Sequence, residues 1–161
     1  NAVSLIADRS SPSELFASGK LLGRPSAGRM SMFFYDPKFK NRLPYYDTFP
    51  LVLPLEPMKG GFIGLNFHYL PYGARFKFLQ TLQSYASNNK FDQSTKIQAS
   101  YSSIKNNKYT KVAIKRYLYS HVRSNFLRVN VNEMALAAYL PVAQFQGKTI
   151  GGVFAAARKN F

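Results

Sequence analysis

The sequence predicts an α+β fold in which a small, curved antiparallel sheet packs against two or three helices. Apolar residues alternate with a period of two between residues 29 and 70, and recur with a longer, helix-like period after residue 71. Apolar side chains make up 46% of the chain and include 14 Phe and 11 Tyr, far more than a disordered chain carries. A length of 161 residues suits one domain with its own core.

Residues 1–28 are expected to form an N-terminal arm, and residues 29–161 a single α+β domain. Ser11-Pro12-Ser13-Glu14 has the composition of a helix start, with a capping Ser, a Pro at the first helical position and an acid that can bond back to the cap. A short helix to about Ser18 is therefore predicted within the arm. The basic segment that follows, Lys20 to Arg29, contains Gly and Pro and is predicted to be extended.

Three strands are predicted in the first half of the domain: Met30 to Tyr35, Leu51 to Leu55 and Gly61 to Tyr69. Pro54 cannot donate a hydrogen bond to a neighbouring strand, which favours a sheet edge or a bulge. Gly64 indicates a bulge or a close approach of the backbone. The segment Pro57-Met58-Lys59-Gly60-Gly61 is typical of a hairpin turn.

Helices are predicted mainly in the second half. Apolar residues at helical spacing predict one helix near residues 74–86 and a longer one from about Lys111 to Val129, where Ile114, Leu118, Val122 and Phe126 follow at intervals of four. The polar residues 87–110 are predicted to be a surface loop. Met134 to Tyr139 should form a short apolar helix or turn, followed by a break at Pro141 and a Gly-rich end.

Charge is the feature that bears most directly on function. The chain has 22 Lys and Arg against 7 Asp and Glu, a formal charge of +15, and such a fold repels itself unless an anionic partner neutralises it. From Pro57 to Asn132 there are twelve Lys or Arg residues and a single acid, Asp92. A field of one sign is what phosphate binding needs, which favours nucleic acid. An acidic protein surface is the alternative, and no membrane partner is expected because no long apolar stretch occurs.

The predicted nucleic-acid contact is the basic side of the long helix together with the loop before it. Arg116 and Arg123, seven residues apart, would project from the solvent side of that helix and could follow a row of phosphates. An ordinary solvated helix face has the same pattern. The residues of this first group are Lys105, Lys108, Lys111, Lys115, Arg116 and Arg123, and a second patch consists of Lys38, Lys40 and Arg42.

The second patch lies in an aromatic and basic stretch from Met32 to Tyr46. Aromatic rings among cations can stack on unpaired bases while the cations hold the backbone. One face of a strand must be apolar, however, so most of these rings are expected in the core.

Catalysis is not expected. The chain has no Cys, and its two His, His68 and His121, are far apart and lack neighbours at metal-ligand spacing. Asp47, Glu56 and Lys59 are the nearest approach to a metal-dependent nuclease site, but their spacing is loose. No phosphate-loop motif is present either, so neither a metal nor a nucleotide cofactor is predicted.

Three segments of the sequence resemble a known family: Met30-Ser31-Met32-Phe33-Phe34-Tyr35-Asp36-Pro37-Lys38, Leu43-Pro44-Tyr45-Tyr46-Asp47-Thr48-Phe49-Pro50-Leu51 and Gly61-Phe62-Ile63-Gly64-Leu65-Asn66-Phe67-His68-Tyr69-Leu70-Pro71. They are similar to virion-associated proteins of T-even-type tailed phages, in particular the DNA end protector, or head-completion, proteins. The resemblance covers roughly Arg29 to Lys115 and the region of Tyr139-Leu140-Pro141. By analogy, short strands and tight turns of this kind also suggest a small SH3-like barrel.

The resemblance implies a non-enzymatic structural protein that binds the end of the double-stranded phage genome and protects it during head completion. It would be assembled in the host cytoplasm and reside in the virion, oligomeric and next to other virion proteins such as head, neck or tail subunits. The alternative is a structural connector, neck or baseplate subunit that binds acidic protein neighbours without DNA contact. Steeply salt-dependent binding to duplex DNA distinguishes the first function from the second.

Overall fold

The structure is a computed structural model and describes residues 21–26, 28–88, 110–129, 133–139 and 142–158. The helix predicted after Ser11, most of the predicted polar loop and the break at Pro141 lie outside these ranges.

An antiparallel sheet of six strands forms the centre of the fold. The strands are β1 (Leu21–Leu22), β2 (Ser31–Met32), β4 (Leu51–Met58), β5 (Gly61–Asn66), β6 (Ile114–Leu118) and β7 (Phe126–Arg128), while β3 (Tyr46–Asp47) and β8 (Phe145–Gln146) form a separate pair. The order in the sheet is β1-β7-β2-β4-β5-β6. Its ends, β1 and β6, do not pair with each other in the described chain, so the sheet is open. The α+β class is confirmed, and the SH3-like barrel is wrong.

Strands β4 and β5 form the predicted hairpin. Its turn is Lys59-Gly60, where Gly60 has a φ of +76°, a conformation that favours glycine. The register shifts between Pro54 and Glu56, which confirms a bulge, whereas an edge position is wrong because β4 lies between β2 and β5. A Cβ atom on Gly64 would overlap the side chain of Val52, so the predicted close approach is confirmed.

The long helix predicted from Lys111 to Val129 is wrong. This region forms a 3₁₀ turn at Lys111–Ala113, strand β6, a second 3₁₀ turn at Tyr119–His121, and strand β7. An interval of four residues fits both periods, because it is close to one helical turn and is also twice the strand period. Strand β6 pairs with β5 over its whole length, and this pairing gives the backbone N–H and C=O groups their hydrogen bonds in a strand conformation.

Helices cover one face of the sheet: α1 (Tyr72–Asn88), α2 (Met134–Tyr139) and α3 (Ile150–Arg158). The first confirms the helix predicted near residues 74–86, and the second confirms the short helix after Met134. The third lies where the sequence predicted a Gly-rich end without a helix. Thr149 caps this helix, because the Thr149 Oγ1 accepts a hydrogen bond from the Gly152 N–H at 3.1 Å. None of the helices in the described ranges has the length and apolar character needed to cross a bilayer.

Two hydrophobic cores lie on opposite faces of the sheet, because adjacent side chains of a strand point to opposite sides. The larger core joins the sheet to the helices and includes Leu51, Leu53, Leu65, Leu79, Met134 and Val153. The smaller one is mostly aromatic and consists of Phe33, Tyr35, Val52, Phe62, Tyr117 and Phe126. Phe33 is at its centre, with its ring centroid 4.7 Å from that of Phe126 and 5.4 Å from that of Tyr117.

Candidate nucleic-acid interface

The segment that follows β2 pairs with the segment that follows β6. Tyr35 and Val122 form an antiparallel bridge. Beside it, the Asp36 N–H donates to the carbonyl of His121 at 3.0 Å. His121 Nδ1 lies 2.9 Å from the Asp36 carbonyl oxygen. The ring of Tyr35 is buried in the smaller core, which anchors the bridge and fixes Asp36 beside Arg123.

The Asp36 carboxylate joins cations from two distant parts of the chain. Its Oδ1 accepts a hydrogen bond from Lys40 Nζ at 2.9 Å, and its Oδ2 lies 3.7 Å from Arg123 Nη2. The hydrogen bond from Lys40 lowers the pKa of Asp36 below its ordinary value and raises the pKa of Lys40 above its own. Lys40 and Arg123 are 45% and 50% exposed, so both remain accessible to a larger anion.

Residues 37–43 form a tight loop, here called the basic loop, on which Lys38, Lys40 and Arg42 are exposed. Three backbone hydrogen bonds hold its shape: Lys40 N–H donates to the Pro37 carbonyl at 3.3 Å, and the N–H groups of Arg42 and Leu43 donate to the Phe39 carbonyl at 2.8 and 3.2 Å. Phe39 is 52% exposed. Lys38 Nζ and Arg42 Cζ lie 5.2 and 5.7 Å from its ring centroid.

Four of the predicted contact residues thus come together in space. We call them the basic surface: Lys38, Lys40, Arg42 and Arg123. They were predicted as parts of two separate patches, and the bridge between Tyr35 and Val122 makes them one.

The other predicted contact residues lie elsewhere. Lys111 and Arg116 are exposed, just before β6 and within it. Lys115 is half-buried with its Nζ 4.1 Å from the centroid of the Tyr69 ring, and burial lowers its pKa. Lys105 and Lys108 lie outside the described residues. Since no helix connects Arg116 to Arg123, the helical alignment predicted for them is wrong, and their contact with nucleic acid stays a prediction.

Comparison with protein families gives one match that spans most of the chain. Residues 16–159 match the family described as phage T4 terminal DNA protecting protein. The chain belongs to this family. The resemblance to DNA end protectors of T-even-type phages is therefore confirmed. Comparison with curated proteins and with solved structures gave no match.

Two further cations of this terminal DNA-protecting family member lie over aromatic rings that are close in sequence to the basic surface. Arg24, after β1, has its Cζ 4.5 Å from the ring centroid of Tyr119, on the 3₁₀ turn that precedes Arg123. Lys148, before α3, has its Nζ 4.7 Å from the ring centroid of Tyr45, just beyond the basic loop. Neither contact could be predicted from the sequence, because each joins residues far apart in the chain.

In this family member, half of the acidic side chains in the described ranges are withdrawn from the surface. Of the four acids in the described ranges, Asp47 and Glu133 are buried. Asp47 Oδ1 accepts hydrogen bonds from the N–H groups of Phe49 and Gln144, and Oδ2 from the Asn66 side chain; Oδ2 also lies 2.7 Å from His68 Nδ1. Burial alone would raise the pKa of Asp47, but His68 and the hydrogen bonds hold it below its ordinary value. Asp47 is thus a structural residue.

The nuclease alternative gains no support from the described residues. Asp47, one of its three candidate groups, is fully enclosed in the fold. No group of three His, Asp or Glu side chains placed to hold a metal ion occurs in the described ranges.

One of the twelve Lys and Arg residues between Pro57 and Asn132 is a core residue. Arg75 is 1% exposed and donates to the carbonyls of Leu70, Ala138 and His68 at 2.6, 2.8 and 3.1 Å. Its guanidinium also packs against the ring of Tyr72. Burial lowers the pKa of Arg75 to about 10, so it remains charged at neutral pH. Arg75 joins α1 to α2 and is inaccessible to phosphate.

Proposed function

We propose that this protein binds the end of linear double-stranded DNA in a tailed-phage particle and protects it by occupying it, without chemical change to the DNA. The basic surface is the observation that carries this proposal, in a chain that belongs to a terminal DNA-protecting family. Protection by occupancy needs tight binding and no catalytic group. Neutralising phosphates and releasing their counterions supplies such affinity.

The basic surface suits the phosphates at a duplex end. Lys38, Lys40 and Arg42 lie on one short loop and Arg123 lies beside it, so several phosphates near one end can be neutralised together. Asp36 is the carboxylate that contacts this group, and it pairs with Lys40 and Arg123 until a phosphate displaces it, while Arg123 Nη1 also donates to the Ser120 carbonyl at 2.7 Å. Arg123 can then form the forked contact with a phosphate that a guanidinium makes.

In the particle, the protein acts during head completion, next to head, neck or tail subunits, after assembly in the host cytoplasm. The family description supports a place at the genome end. Any protein partner would be held by surfaces other than the basic surface, because that surface is occupied by DNA.

The test combines a salt titration with a digestion assay. Binding to a short blunt-ended duplex should weaken with salt along a log-log slope of about −0.9 per phosphate contact, which gives a slope of about −3.6 for the four cations of the basic surface. The bound duplex should resist a double-strand exonuclease and should remain uncut by the protein itself when Mg²⁺ is added. Weak binding without salt dependence, together with unchanged digestion, would contradict the proposal and favour a connector that binds acidic protein neighbours.

A further inference from the structure

We infer that Phe39 stacks on the exposed face of the terminal base pair, so that the basic loop distinguishes a DNA end from the interior of a duplex. This inference rests on the proposed function and adds a group that recognises the end itself.

An end and an interior offer a protein mostly the same chemistry. Phosphates and groove edges are present in both, and cations alone bind both through the same counterion release. Only at an end is the flat face of a base pair free of a stacked neighbour. A protein that prefers ends through this feature needs a side chain that can cover that face, and aromatic rings stack on bases of any sequence.

Phe39 has the placement that this task requires. Phe33 and Tyr35, from the same aromatic and basic stretch, are buried in the smaller core, whereas Phe39 is 52% exposed on the basic loop. Leu43 on the same loop is 43% exposed and extends the apolar contact. A single exposed ring is ordinary on a protein surface, but this one lies among the cations of the basic surface.

The cations around the ring complete the arrangement. Lys38 and Arg42 lie over the Phe39 ring, at the range of cation–π contacts. A base pair that stacks on one face of the ring displaces the cation, Lys38 or Arg42, that lies over that face. The displaced cation is then free to contact a phosphate of the terminal nucleotides. Lys40 and Arg123 neutralise phosphates on the Asp36 side of the loop. Stacking and phosphate contact are thereby made by one short loop.

The experiment compares wild type with Phe39→Ala, Phe39→Trp and a matched control, Phe76→Ala. Phe76 is an exposed phenylalanine on α1, 45% exposed and away from the basic loop in the sequence. Two substrates are used, a short blunt-ended duplex and a covalently closed duplex circle. A fluorescent adenine analogue is placed in the blunt duplex either at the terminal pair or at its middle.

Phe39→Ala should bind the blunt duplex about tenfold more weakly, in line with the loss of one base–aromatic stack. Its salt slope should stay unchanged, because phenylalanine carries no charge. Its affinity for the closed circle should also stay unchanged. The terminal analogue should change fluorescence with wild type, Phe39→Trp and Phe76→Ala, but not with Phe39→Ala, and the central analogue should not respond.

The experiment distinguishes failure of the stacking inference from failure of the proposed function. If wild type and Phe39→Ala both bind the blunt duplex equally tightly with the same steep salt slope, the stacking inference is overturned and the proposed function stands. If wild type does not bind duplex DNA, the stacking inference and the proposed function are both wrong. Because Phe39 is exposed, thermal unfolding of Phe39→Ala should match that of wild type, which rules out misfolding as the cause of weaker binding.

Discussion

Lys40 and Arg123 contact different oxygens of one carboxylate, that of Asp36, at 2.9 and 3.7 Å. The two cations come from loops on separate halves of the chain, and the pairing of Tyr35 with Val122 brings them together. An exposed ion pair of this kind contributes little to stability, so its importance is in the placement of charge.

Replacing Lys40 and Arg123 together by Ala should flatten the log-log salt slope of duplex binding by about two units, one for each phosphate that is no longer neutralised. Both side chains are half-exposed and neither belongs to a hydrophobic core, so the fold should persist. The matched control is Lys59→Ala with Arg158→Ala, which also removes one exposed Lys and one exposed Arg. An equal flattening by the control would mean that general charge, and not the basic surface, determines binding.

Asp36→Asn should change binding in the opposite direction. It removes a negative charge beside the phosphates and with it the ion pairs that Lys40 and Arg123 make with Asp36. We expect duplex affinity to rise about two- to fivefold, the scale of one exposed charge pair. Titration at low salt, where screening is weakest, gives the clearest measurement. Weaker binding of this variant would show that Asp36 is needed to position the two cations.

The buried Asp47 carboxylate should make the protein sensitive to acid. The pKa of Asp47 is lower in the fold than in the unfolded chain, so its contribution is fully present above an unfolded pKa of about 3.9 and is lost as the pH falls through the folded value. Asp47→Asn should cost about 2–4 kcal/mol at neutral pH, because several buried donors lose an ionised acceptor.

Urea unfolding of wild type and Asp47→Asn from neutral pH down to strong acid measures this dependence. The free energy of unfolding of wild type should fall below about pH 4, and that of the variant should fall less. Parallel curves for the two proteins would assign the acid sensitivity to other groups.

Arg75 should be required for stability and not for DNA contact. A Lys in its place keeps the charge but cannot donate to three carbonyls at the angles of a guanidinium, so Arg75→Lys should lower the free energy of unfolding by about 3 kcal/mol. Arg158→Ala, an exposed arginine on α3, should change it by no more than about 0.5 kcal/mol. Chemical denaturation measures the free energy of unfolding of both variants and of wild type. Equal stability of Arg75→Lys and wild type would contradict the structural role of Arg75.

Features set by neighbours in the sequence could be predicted. The β4–β5 hairpin follows from alternating apolar residues and a turn that contains Gly60, and α1 follows from a helical apolar period. The family could also be predicted, because its resemblance lies in continuous segments.

Features set by contacts between distant parts of the chain could not be predicted from the sequence. The region from Lys111 to Val129 has an apolar spacing that fits helix and strand alike, and only pairing with β5 distinguishes them. The burial of Arg75 depends on carbonyls from α2 and the 3₁₀ turn before α1, none of which its own sequence surroundings reveal. The basic surface is likewise formed by two segments that no local pattern connects.

The bridge between Tyr35 and Val122 also has a consequence for protein synthesis. The ribosome releases the basic loop well before the segment that carries Arg123, because the two are far apart in the sequence. Contacts between segments so far apart form only when both have been synthesised and the intervening chain has been closed into a loop. A product of interrupted translation that ends before Val122 carries the three cations of the basic loop but lacks Arg123, so it presents only part of the basic surface.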